Sequence, residues 1–211
     1  MRPSAIRRIA WGVILAGVLC RPGSAAQGDD PDWPCIQRKV PELSLGQVWT
    51  GIALPPAAAG WSADETVSSW VDDLSARRLP LPEAQQIIRD AARSLPDGER
   101  DLRMAMLVQG LFDHMNRERS QVISGIARYA HRQRDMAAAL RQESAAVDTL
   151  RRKAGTDQMQ MALRSERLAL QTRIFQERSQ SLTFVCEVPT LIEQRLYALA
   201  KTIAEALTSK K

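Results

Sequence analysis

The chain has 211 residues, enough for one ordinary domain or one long helical assembly, with 25% charged and 5% aromatic residues, a balance that belongs to an elongated, well-solvated helical protein. Its formal net charge of +5 is unevenly placed: four of the 29 basic residues (Arg2, Arg7, Arg8, Arg21) and no acid lie in 1–26, leaving 25 basic against 24 acidic residues, net +1. That near-balance argues against a nucleic-acid partner, which needs clustered uncompensated Lys and Arg to displace counterions.

Residues 1–26 read as a secretory signal peptide. Arg2, Arg7 and Arg8 form a basic leader, Ile9 to Leu19 an apolar run, and Ser24-Ala25-Ala26 a small-residue site with cleavage expected after Ala26. Eleven apolar residues cover about half of a ~30 Å hydrocarbon core, which argues against a retained anchor. Cys20 follows Leu19 where lipidation needs a small residue. Arg7-Arg8 lacks the flanking pattern of a twin-arginine signal, so ordinary export is expected, to a periplasmic or secreted location, with no transmembrane segment after cleavage.

Residues 27–62 carry Trp33, Trp49 and Trp61 without sustained period, and Pro34 and Pro41 oppose helix, so an extended strap is expected. "PPAAAG", residues 55–60, reads as linker. Residues 63–97 then hold two short helices. The first opens on Ser62 with Glu65 three residues later, a capping box, and sets Val67, Trp70, Val71 and Leu74 on one face. Pro80 and Pro82 stop it, and Pro82 restarts a second helix that ends before Pro96-Asp97-Gly98.

Residues 98–208 are expected to form a long antiparallel helical hairpin. From Glu99 to Lys153, Val108, Phe112, Met115, Val122, Ile126, Tyr129, Met136, Leu140, Val147 and Leu150 recur at alternating steps of three and four. Arg119, Gln133 and Glu143 fill polar slots in that register, a heptad seam with imperfections. "AGTD", 154–157, breaks it: Gly155 suits the left-handed position after a helix, and Thr156 or Asp157 can cap the next. From Gln158, a second seam is read through Leu163, Leu170, Ile174, Leu182, Val185, Ile192, Leu196, Leu199 and Ile203. Each run is about 50 residues, roughly 75 to 80 Å if straight. Folding back at 155 sets position i beside 310 − i, so Cys186 lies level with Ser124 and Gly125. Gly125 either makes room for the strap there or is a tolerated weak spot, and Pro189 should kink or restart the last helix. The fold class is therefore all-α and coiled-coil-like.

Two cysteines remain after cleavage, Cys35 and Cys186. In an oxidising compartment an even pair lacking further ligands or a CxxC motif reads as one disulfide, closing a span worth roughly 4 to 5 kcal/mol by chain entropy. Met104, Met106, His114, Met115, Met136, Met159 and Met161 raise a copper reading through soft thioether and imidazole ligands. The hairpin register separates their ends by roughly 65 to 80 Å, and His114 and His131 by about 25 Å, so methionines filling seam gaps are favoured and no metal or cofactor is expected. No nucleophile elbow, Walker loop, haem-binding motif or HExxH occurs, so no catalytic residue is assigned.

Trp33, Trp49, Trp61 and Trp70 either dock the strap and first helix onto the hairpin or, where exposed, mark a partner site. The sequence thus points to an exported, non-enzymatic interaction or scaffold component that binds another envelope protein or itself. A periplasmic copper-binding protein and a holdase-like chaperone are the alternatives.

Overall fold

The computed structural model describes residues 30, 32–155 and 157–208. The expected signal peptide and Thr156 lie outside them. The fold is all-α, with no strand among the described residues: a short α1 (Leu45–Val48), a 3-10 helix (Pro56–Ala63), α2 (Glu65–Ser75), α3 (Leu81–Ser94), and two long helices, α4 (Asp97–Arg152) and α5 (Gln158–Thr208).

α4 and α5 pack antiparallel as the sequence requires, and the register holds to within a turn. Arg164 bonds Glu143, the Tyr129 hydroxyl donates to the Arg178 carbonyl, and Arg119 reaches Glu193; these pairs sum to 307, 307 and 312 against the expected 310. Gly155 takes φ 79° in the connection, where a side chain would meet its own backbone. Asp157 then accepts from the Met159 amide (2.9 Å) at the start of α5. α5 runs unbroken through Pro189 and does not restart there.

The local starts and stops differ in detail from expectation. The strap is not wholly extended: it contains α1 and the 3-10 helix, which the linker-like Pro55-Pro56-Ala run begins, because proline pre-sets φ at a first turn. α2 is capped by Asp64 rather than by Ser62. Ser62 is held within the 3-10 turn, and the Asp64 carboxylate accepts from the Val67 amide (3.1 Å).

The core sits at one end. α2 and the 3-10 helix pack on the first half of α4, and α3 packs on the last third of α5. Val67, Val71, Leu74, Ile88, Met104, Leu107, Leu111, Met115, Ile192, Leu196, Leu199 and Ile203 are buried there in one cluster. Gly110 is the required close approach, since a Cβ on it would stand 2.6 Å from Val71 Cγ2 and 2.9 Å from Trp61 Cδ2. Gly125 is not: a Cβ there would meet only Arg128 Nη2, at 3.9 Å, so it makes no room for the strap. Arg195 of α5 closes the base by donating to the carbonyls of Leu74 (3.1 and 2.8 Å) and Leu79 (2.9 Å), ending α2 with a cation, and its burial lowers the guanidinium pKa.

Beyond this base the hairpin projects as a two-helix arm. Between residues 127 and 185 the described residues include three buried ones, Ala130, Gln133 and Val147.

Candidate interaction surface of the hairpin arm

The strap crosses the hairpin where base becomes arm. Cys35 and Cys186 form a disulfide there, with sulfurs 2.04 Å apart and Cα atoms 5.6 Å apart, packed on buried Ile126 with Trp33, Val122 and Leu182 around it. Backbone groups of the strap find partners on α4. The Arg119 guanidinium donates to the Val40 carbonyl (2.7 Å) and the Ser120 hydroxyl to that of Pro41 (2.9 Å). Asn116 brackets Leu43, accepting from its amide (3.1 Å) and donating to its carbonyl (3.3 Å). Further out, Arg134 binds the Asp32 carboxylate, and Gln37 donates to the Cys186 carbonyl. An extended segment without these acceptors and donors would leave buried backbone groups unsatisfied.

The four tryptophans are docked. Trp49 is buried and its indole N–H donates to the Ile52 carbonyl (2.7 Å). Trp33, Trp61 and Trp70 are partly buried. The Trp33 N–H donates to the Gln37 carbonyl (2.6 Å), that of Trp61 to Asp113 (2.9 Å), and Trp70 lies on the main core. The methionines are dispersed: Met104 and Met115 are in the core, Met106 lies against it, Met136 and Met161 are half-buried on the arm, and Met159 is exposed near the turn. His114 lies 3.9 Å from Asp72, while His131 lies 3.5 Å from Asp32, on the other side of the disulfide. Among the described residues no group of three or more His, Cys, Asp or Glu is placed to hold a metal ion.

Polar slots foreseen in the α4 seam are occupied as polar slots. Arg119 is 4% exposed and Gln133 8%. Glu143 takes both Nε and Nη2 of Arg164 at 2.9 Å, and this hydrogen-bonded pairing holds the carboxyl below its usual range and raises the guanidinium.

On α5 the arm departs from the expected seam. Arg164 faces α4, so Leu168 and Phe175, four and eleven residues further along the same helix face, are its inner contacts and are partly buried. Leu163 and Leu170, assigned to the inner seam, instead point outward at 62% and 59% exposure, and Val185 is exposed too. With Phe184 (71%) and Leu191 (53%), Leu163 and Leu170 mark a second stripe, on which the steps 163, 167, 170, 174, 177, 181, 184, 188, 191 alternate between four and three. Its members are Leu, Arg, Leu, Ile, Glu, Ser, Phe, Val and Leu. Phe184 and Leu191 drew no attention in the sequence; their signal was this second 4-3 alternation running beside the inner one.

Ile174 of that stripe also lines a groove of about 240 Å³ with Met136, Ala139 and Leu140 of α4 and Gln171 and Arg178 of α5. The electrostatics are polarised as well. Residues 128–180 carry eleven basic and six acidic side chains, net +5, while the other described residues, 30–127 and 181–208, carry twelve basic and seventeen acidic, net −5. No described helix is long and apolar enough to cross a membrane. Compared with protein-family models, with curated proteins and with solved structures, the chain finds no match.

Proposed function

We propose that the chain is an exported, non-enzymatic interaction or scaffold protein of the bacterial cell envelope, periplasmic or secreted, in which a stapled base presents a helical arm to another envelope protein. The observation that carries this reading is the contrast between the two ends. The base gathers one continuous buried core, whereas the arm, whose inner Leu168 and Phe175 are only half-buried, leaves Leu163, Leu170 and Phe184 exposed beside a groove. Exposed large apolar side chains aligned on one helix face beside an apolar groove mark sites of association. Export is supported by the bonding of Cys35 to Cys186, the two cysteines that survive the expected cleavage, since such bridges persist in oxidising compartments.

The test is to express the full chain with its leader and place photo-crosslinking residues at exposed positions of base and arm. A single protein partner recurring among the adducts, with an intact mass that begins after Ala26 and contains the disulfide, is the expected result. Retention in the cytosol with both thiols free, stoichiometric copper in native mass spectra, or no protein adduct from any position would overturn the reading.

A further inference from the structure

We infer that the arm's outer seam takes a third helix, an amphipathic helix of a partner protein flanked by acidic side chains, lying in the groove between α4 and α5; this deepens the proposed function and rests on it. Three observations converge. Exposed Leu163, Leu170, Phe184 and Leu191, with half-buried Ile174 and Val188, follow one 4-3 alternation over four heptads or about 42 Å, Val185 lying beside it; a line of that kind is the pattern that accepts a helix. A membrane surface selects a wide apolar face, and nucleic acid needs none.

The seam also has a second wall. Ile174 is shared between the stripe and the groove, whose far side is Met136, Ala139 and Leu140 of α4, so an incoming helix would rest in a trough between two helices. Charge beside the trough is mainly positive: Arg178 lines it and Arg167 lies on the stripe, within an arm of net +5, with Glu177 the one acid of the stripe. An acidic flank is the complement. A second copy of the same arm is not, because two surfaces of +5 would lie side by side and Glu177, midway along the seam, would approach its own counterpart. The polar seam positions Arg167, Glu177 and Ser181 then fix the register of the incoming helix, with an acid of the partner opposite Arg167.

The experiment uses the full exported chain with a photo-crosslinker in place of Gln171, which lines the groove without belonging to the apolar stripe, and sequences the captured peptide by mass spectrometry. The expected peptide has apolar residues at 4-3 spacing flanked by Asp and Glu. Leu170→Asp in the same chain should lower the adduct yield at least about tenfold, the loss expected when a leucine anchor becomes a charge. Arg167→Glu should lower it further at low salt, while helicity and the disulfide stay unchanged in both variants. Capture of the chain itself, of nucleic acid or lipid, or of a segment without acid-flanked heptads would overturn the inference, as would a yield indifferent to Leu170→Asp. Adducts from base positions with none at Gln171 would sink the seam and leave the interaction reading standing; adducts from no position would sink both.

Discussion

Replacing Cys35 and Cys186 together by serine should cost about 5 kcal/mol. The bridge spans 151 residues of sequence, and removing the loop-closure restriction from the unfolded ensemble at that length gives a value of this size at 25 °C. The folded state should survive, because the strap keeps its ties to α4 through Asn116, Arg119 and Ser120, each hydrogen bond contributing about 0.5 to 1.5 kcal/mol. At roughly 2 to 4 °C per kcal/mol for a chain of this size, the melting temperature should fall by about 10 to 20 °C. Circular dichroism at 222 nm as a function of temperature, on oxidised wild type and on the double serine variant, reads the shift directly. A fall of less than about 3 °C with the fold intact would refute the reasoning, since it would mean that the strap melts outside the cooperative unit and the bridge restricts nothing that matters.

Other perturbations have distinct signatures. Asp64→Ala should cost about 1 kcal/mol in urea unfolding and Ser62→Ala less than about half of that, because Asp64 holds the Val67 amide and Ser62 caps nothing in α2. Arg195→Met should cost about 3 kcal/mol by the same assay, since it orphans the Leu74 carbonyl in the last turn of α2 and the Leu79 carbonyl in the connection to α3. Gln133→Leu should raise stability by about 1 kcal/mol, as the Gln133 Oε1 is buried without a hydrogen-bond partner. The Glu143 carboxyl is held below its ordinary 4.5 by its hydrogen bonds from Arg164, so its contribution is present above that pH and is lost as pH falls through the lower folded value. Protection of the arm amides, taken relative to their intrinsic exchange rate at each pH, should therefore fall as pH drops below about 4.5 in the wild type and show a weaker acid dependence in Glu143→Gln.

Where the sequence was legible, each signal was local and had one physical cause. Gly155 could take positive φ, Asp157 could cap, and two matched periodic runs could only fold back on one another, so the hairpin and its register followed. The disulfide followed from counting. The cap of α2 was misread because Ser62-x-x-Glu65 and Asp64 satisfy overlapping patterns, and only the 3-10 turn preceding α2 decides which oxygen reaches an amide. Gly125 and Gly110 are equally glycine in a helix; what separates them is Trp61 and Val71 arriving from elements far away in sequence. The α5 seam was the consequential case. Periodicity reports that apolar residues share a face but not which neighbour the face meets, and α5 carries two stripes in the arm. Arg164, a charged residue that no apolar template would select, fixes the inward direction through Glu143.

The position of the disulfide ties these points together. It lies at the level where burial stops: Ile126 is 1% exposed beneath it, and the arm beyond holds only three buried residues among those described. A two-helix arm with so little buried surface draws its order from the end at which it is anchored, and helices of low local burial open most readily. Bonding the strap to Cys186, with Arg134 gripping Asp32 one step further out, extends the rigid base onto the root of the arm, from which the 4-3 seam continues outward past Phe184 to Leu163. A helix laid along that seam would supply the burial the arm lacks, so recognition and ordering of the arm become one event with its register set from the stapled end.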